Sequence, residues 1–334
     1  VSVSTAVLIF LGSLSLSVVA SIVLARRLEQ LGAWLQLSES LLGIIAALGA
    51  DAPEISSAVT ALHAGQHDLG LGIVLGSNIF NLAALLGLSA LISGKVKVTR
   101  RTLLLNGGVA VGVMAVVSLQ LFGILTGLWP LMLVAFIMAP YLTATAISPA
   151  RVWQLAAKFG LGSAVVQTVA DVHQDAKRAE TPPQPSRADM LGSIPALVTI
   201  VVASIGMVHT AIIIGANWKI PGPVIGTLIL AGLTGIPNVV TAIQLAVRRR
   251  GSAVLSESLN SNTLNLIAGA SIPILVLGLG ALSPLAVISL WWMIGMTLLA
   301  LGLAFVRGGL GRKGGGLLVL IYVGYVLTVI LERG

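Results

Sequence analysis

Two carboxylates, Asp51 and Glu54, stand three positions apart inside an apolar run, with Ile44-Ile45-Ala46-Ala47-Leu48 before them and Ile55 after. On a helix that spacing puts both acids on one face. An acid at membrane depth costs about 3 kcal/mol or more, and its retention there marks an ion pathway, a proton relay or a binding site. Gly49 and Pro53 bracket Asp51. Proline removes one backbone hydrogen bond and obstructs another, so the helix is predicted to loosen here and to free carbonyl oxygens. Carboxylates beside loosened carbonyls make an all-oxygen set, the donor chemistry of hard cations such as calcium or sodium.

The same scaffold recurs 184 positions later without a gap. Gly49-Ala-Asp-Ala-Pro-Glu54 pairs with Leu233-Thr-Gly-Ile-Pro-Asn238, and Gly76-Ser-Asn-Ile-Phe-Asn81 pairs with Asn260-Ser-Asn-Thr-Leu-Asn265. Pro53 maps on Pro237, Ser77 on Ser261, Asn78 on Asn262 and Asn81 on Asn265. Ser77 and Asn81 are one turn apart, as are Ser261 and Asn265, so each pair projects from one side of its helix. Paired, interrupted hydrophobic segments in corresponding halves point to a transporter's binding site. Proline kinks and Ser/Asn contacts between helices are the bland alternatives for each feature alone; the acids, the repeat and its inversion together favour a site.

The elements that must position these residues are membrane helices. Hydrophobic residues make up 57% of the chain, charged residues 9%, and mean hydropathy is +1.03, which excludes a soluble globule. The net charge of +8 comes from basic residues between the apolar segments, which is not the pattern of a nucleic-acid face. Without cysteine there are no disulfides, thiolate metal sites or thiol redox chemistry. Ten apolar segments are long enough to span a bilayer: roughly 3–25, 37–64, 69–93, 102–120, 124–147, 189–214, 221–247, 252–278, 284–306 and 314–331. The first is read as a spanning helix, not a signal peptide, because Arg26-Arg27 follow it and no basic stretch precedes it. With ten spans, loops on one side hold all the basic residues except Lys219 and Arg333. The predicted fold is therefore an all-α membrane protein with both termini outside and the basic loops in the cytoplasm. The connection within the first motif copy then lies outside and that within the second inside, so the two five-helix halves, 1–147 and 189–334, are inverted repeats. Residues 148–188 form the cytoplasmic connection. Val152, Leu155, Phe159, Val165, Val166, Val169 and Val172 give it an apolar stripe suited to an interfacial helix, followed by a Pro-rich linker at 181–186.

Other polar residues have weaker claims. Glu257 continues the Ser261–Asn265 stripe backwards by one turn, either lining an inner vestibule or snorkelling towards Arg248–Arg250. His209 stands alone and is predicted to be packed and hydrogen-bonded before it is a proton relay. His63, His67 and His173 have no zinc-ligand spacing.

At Gly-x-x-x-Pro-Glu (49–54) and Gly-Ser-Asn-Ile-Phe-Asn (76–81) the chain resembles the calcium/cation antiporter superfamily, which includes sodium/calcium and proton/calcium exchangers. The resemblance implies a site between the second, third, seventh and eighth helices, with one key glutamate per repeat. Carried over, the ligands are Glu54, Ser77 and Asn81, with Asn238, Ser261 and Asn265 as counterparts. Thr234 and the carbonyls of Ala47 and Ala231 complete the shell. The resemblance also implies alternating access, with the first and sixth helices sliding as a gate. Two departures stand out. Asn238 replaces the second glutamate, and Asp51 occupies a position commonly held by a hydroxyl residue. If both acids face the cation, two charges suit calcium; with one, the site favours sodium, lithium or proton chemistry. A desolvated carboxylate also supplies a titrating group for proton coupling.

The resulting expectation is a secondary-active cation antiporter of the prokaryotic inner membrane, exchanging Ca2+ for Na+ or H+. Its partners are membrane lipid and inorganic cations, and it has no catalytic step and no cofactor. A divergent carrier of a monovalent or small organic cation, and a passive channel or non-transporting subunit, are the alternatives.

Overall fold

A computed structural model describes residues 1–34, 39–146, 192–278 and 280–332. The interfacial helix and Pro-rich linker predicted within 148–188, and His173 with them, lie outside the described residues. The first half runs α1 (Val3–Trp34), α2 (Glu39–His63), α3 (His67–Asn81), α4 (Ser89–Ser93), β1 (Lys95–Lys97), α5 (Arg100–Leu121) and α6 (Trp129–Ala146). The second runs α7 (Ser193–Trp218), α8 (Gly222–Val224), α9 (Ala231–Thr234), α10 (Ile236–Val247), α11 (Gly251–Leu264), α12 (Ile272–Leu277), α13 (Pro284–Arg307), β2 (Gly309–Gly311) and α14 (Arg312–Leu331). Among the described residues seven helices are long and apolar enough to cross a membrane, and the bent pair Gly222–Thr234 with Ile236–Val247 makes an eighth. A shorter apolar helix, Trp129–Thr143, and the 25-residue α2 occupy two further predicted segments.

Three stretches of π-helix interrupt these rods: Leu82–Leu88 between α3 and α4, Ile225–Leu230 between α8 and α9, and Asn265–Ser271 between α11 and α12. The first begins directly after Asn81 and the third at Asn265, the last residue of each Ser-x-x-x-Asn motif. Wider turns of this kind concentrate at functional sites because they re-aim side chains without ending the helix.

The span through α3 is the centre of the bundle: 94% of its most apolar window is buried, against 28% for the outer spans Val3–Leu28 and Arg312–Leu331. Small residues let the backbones of the two halves meet there. A Cβ on Gly76 would run into the Thr227 carbonyl, one on Gly226 into that of Leu69, and one on Gly72 would lie 2.9 Å from Thr227 Oγ1. α1 packs along α7, and Gly206 on α7 admits Ser13 of α1 at 2.7 Å from where its Cβ would be. Ala20, Leu24, Ala196 and Ile200 of this pair form an apolar cluster of their own, separate from the main core.

At one end of the bundle β1 pairs antiparallel with β2, Val96 opposite Leu310, both buried. This short ribbon ties the loop after α4 to the loop after α13, and so the first half to the second. Basic side chains lie along it. Lys95 Nζ donates to the Arg307 carbonyl at 3.1 Å, Arg312 Nε to the Leu91 carbonyl at 3.3 Å, and the Arg100 guanidinium stacks 5.3 Å from the Phe305 ring centroid.

Two expectations are corrected. α2 runs unbroken through Pro53, whereas the second copy does break: α9 and α10 meet at Gly235 with a 47° bend. In the second copy Gly235 supplies flexibility at the joint and Pro237 sits in the first turn of the new helix, where its missing N–H costs nothing. In the first copy the position matching Gly235 is Asp51, whose Cβ favours continued helix over a joint. His209 is exposed on α7, not packed and hydrogen-bonded as expected, because it faces away from α1 and the core.

Candidate cation-binding site

Asp51 and Glu54 project from α2 and are fully buried, at 0% and 1% exposure. Each is held by side chains of the other half. Asp51 Oδ1 accepts a hydrogen bond from Asn238 Nδ2 at 2.6 Å and one from Ser261 Oγ at 2.7 Å. Glu54 Oε2 accepts from Asn265 Nδ2 at 2.6 Å, and the same amide reaches Ser77 Oγ at 3.4 Å. Asn81 Nδ2 donates to Ser261 Oγ at 3.0 Å and to Asn262 Oδ1 at 3.2 Å. α2, α3, α10 and α11 thus converge on two hydrogen-bonded groups, one joining Asp51 to Asn238, Ser261 and Asn81, the other joining Glu54 to Asn265 and Ser77.

What the cluster leaves unbonded sets its chemistry. Asp51 Oδ2, Glu54 Oε1, Asn81 Oδ1 and Asn265 Oδ1 are buried and have no hydrogen-bond partner. All four are acceptors, two from carboxylates and two from amides. Buried acceptors are normally satisfied, and each one left bare costs about 1–3 kcal/mol. Donors are spent on one oxygen of each carboxylate while the other stays bare, and bare carboxylate and amide oxygens are the donor chemistry that suits a cation.

The remaining predicted ligands stand close by in sequence with their groups partly engaged. Thr234 Oγ1 donates to the Leu230 carbonyl at 2.7 Å, and Ser77 Oγ to the Ile73 carbonyl at 2.7 Å, so both hydroxyls offer lone pairs. Ala47 and Ala231 are buried, and the Ala231 carbonyl accepts the Gly235 amide at 3.3 Å. Glu257 is half-buried on α11, one turn before Ser261.

Repeat-related residues bond to each other in mirrored fashion. Asn78 Nδ2 donates to the Asn262 carbonyl at 3.2 Å, and Asn262 Nδ2 to the Asn78 carbonyl at 3.0 Å. The Asn81–Ser261 bond has its counterpart in Asn265–Ser77. Ser57 Oγ caps the Pro53 carbonyl at 2.6 Å, as Thr241 Oγ1 caps that of Pro237 at 3.1 Å. In the sequence Asn78 and Asn262 are identical repeat mates with no predicted role, and that identity is the one signal of their contact. Asn262→Ala removes the donor to Asn78 and an acceptor for Asn81, and is expected to cost about 1–2 kcal/mol. The check is a lower midpoint of thermal unfolding in detergent, and an unchanged midpoint would show the asparagine pair to be dispensable.

The model of the sodium/calcium exchanger protein family matches residues 5–149 and 189–331. The chain belongs to the sodium/calcium exchanger family. The match accounts for both halves and leaves out the connection between them. This family member is 40% identical over 58 residues to the inner membrane protein YrbG of Escherichia coli (strain K12), covering 17% of this chain and 18% of YrbG. It is 33% identical over 113 residues to the sodium/potassium/calcium exchanger Nckx30C of Drosophila melanogaster, covering 34% of this chain and 13% of that one. Its fold matches the sodium-calcium exchanger NCX_Mj over 98% of this chain and 99% of that one, at 20% identity and a TM-score of 0.57. It also matches the H+/Ca2+ exchanger CAX over 98% and 88%, at 15% identity and a TM-score of 0.64. The calcium/cation antiporter fold expected from the motifs is thus present over nearly the whole chain.

Proposed function

We propose that this family member is a secondary-active antiporter exchanging Ca2+ for Na+ or H+ by alternating access, with the cluster around Asp51 and Glu54 as its cation site. The observation that carries this reading is the set of four buried, unbonded acceptor oxygens on Asp51, Glu54, Asn81 and Asn265. Calcium takes six to eight oxygens; the hydroxyls of Ser77 and Thr234, the carbonyls of Ala47 and Ala231, and water complete the shell. Glu257 lines the inner vestibule. We read the chain as ten crossings with both termini outside, in two inverted halves; the mirrored Asn78–Asn262 pair, and Asn81–Ser261 with its mate Asn265–Ser77, support a two-fold relation between the halves. The α1–α7 pair, with its own apolar cluster, is the moving gate against the remaining bundle. The basic loops face the cytoplasm, and the location is a prokaryotic inner membrane. No bond of the cargo is made or broken; ion gradients drive the exchange between two states of one site.

A monovalent-cation carrier is the second reading, favoured by the neutral Asn238. Proteoliposomes holding the full chain separate the two. Calcium uptake driven by an outward sodium gradient in one set, or by a proton gradient in the other, is the expected result. Sodium or lithium flux without calcium movement in either set selects the monovalent reading, and ion movement without stoichiometric counterflow overturns the antiporter.

A further inference from the structure

In the 184-residue register Asp51 corresponds to Gly235, and Glu54 to Asn238. One contact between the halves is therefore made twice, in two chemical versions. On one side Asn238 Nδ2 lies 2.6 Å from Asp51 Oδ1. On the other, the position of a Cβ on Gly235 is 3.1 Å from Glu54 Oε1. The first contact joins a carboxylate to an amide, and the second brings a carboxylate against a residue with no side chain. Both negative charges belong to the first half. The second half supplies neutral groups alone to this cluster: Asn238, Ser261 and Asn265.

A purely structural acceptor at position 51 would have no use for a full carboxylate. An asparagine oxygen would receive the Asn238 and Ser261 donors equally well and leave no bare charge in the core. Asp51 instead has one oxygen doubly bonded and the other buried and unpartnered. On the opposite side a Cβ on Gly235 would lie 3.0 Å from Phe80 Cε1 and 3.1 Å from the bare Glu54 oxygen, so a larger residue would crowd both.

We propose that Asp51 is a charge relocated across the internal repeat: it supplies the second negative charge of a divalent-cation site in place of position 238, and Asn238 is the neutral clamp that orients it. The inference rests on the cation-transport reading and names the specificity-determining pair within that site. Charge at positions 51 and 238 is then interchangeable but not additive. With Asp51 present, a second carboxylate at hydrogen-bond distance would repel it and lose the clamp.

The test is a four-member set in proteoliposomes, wild type, Asp51→Asn, Asn238→Asp and the double exchange, assayed for calcium uptake and, in detergent, for calcium binding by calorimetry. Each single change is expected to lower uptake by about 30-fold, and the double exchange to return it to within about 10-fold of wild type. The inference is overturned if Asp51→Asn stays within about 3-fold of wild type, or if the double exchange is no better than either single change. Should Asp51→Asn fail to fold, Asn238→Asp and the double exchange decide: higher uptake and tighter calcium binding in the double support the proposal, and an equal or inactive double overturns it. A wild-type chain that moves no cation under any gradient defeats the transport reading itself; an active wild type without rescue defeats the relocation alone.

Discussion

Glu54→Gln is expected to lower gradient-driven cation uptake by about 100-fold or more while leaving the protein folded. The substitution preserves volume but not chemistry. To keep the 2.6 Å bond from Asn265, the new amide must turn its oxygen towards Asn265 Nδ2. Its NH2 then occupies the place of Glu54 Oε1, one of the four bare acceptors. One charge is lost and, on the proposed reading of the site, a donor now points at the cation. Loss of one partner from a buried charge pair costs about 3–5 kcal/mol, and about 3 kcal/mol already corresponds to roughly 100-fold. Initial rates of calcium uptake into proteoliposomes, normalised to reconstituted protein, are the measurement. Retention of a third of wild-type uptake would remove Glu54 from the ligand set.

Gly76→Ala carries the second large effect, by sterics instead of charge. A methyl group at position 76 would overlap the Thr227 carbonyl and lie 2.7 Å from Thr227 Cα, so backbone must move against backbone. Overpacking of this kind costs about 1–3 kcal/mol. The displaced helix carries Ser77 and Asn81, so uptake is expected to fall about 10-fold together with a thermal midpoint several degrees lower. Gly108→Ala is the control: it also sits mid-helix, and a Cβ there meets nothing within 4 Å. Its midpoint is expected to hold or rise slightly. Equal midpoints for the two variants would mean that the central helix crossing tolerates separation.

The contrast between these two residues shows what the sequence could convey. Asp51 and Glu54 were legible because an ionisable residue in an apolar segment has few structural uses, and Ser77, Asn81, Ser261 and Asn265 because the repeat showed them twice. Their convergence could be expected from spacing, since i and i+4 share a helix face. The role of Gly76 could not, because it is set by a carbonyl about 150 residues away, and one chain's spacing does not tell which glycines meet another backbone. Pro53 and Pro237 look alike in sequence and differ in outcome. The residue two positions earlier, Asp51 or Gly235, decides whether the helix continues or bends. His209 misled because a lone polar residue in an apolar run gives no sign of which way it faces. The Asn78–Asn262 exchange was visible as identity in the repeat, but mutual contact needs the third dimension.

The cross-half bonding also bears on how the chain is made. Asp51 waits for donors 187 and 210 residues downstream, and Glu54 for one 211 residues downstream. At ordinary rates of synthesis that interval is on the order of 10 to 40 s. Through it α2 holds two acids with none of their final partners yet made, a segment too polar to settle alone in hydrocarbon. Its lasting insertion is therefore a late event, completed when α10 and α11 emerge and bring their amides and hydroxyl. The other spans of the first half, Val3–Leu28, His67–Ser93 and Arg100–Leu121, are apolar enough to insert on their own, so it is α2 alone whose place in the bilayer depends on the late arrival of the second half.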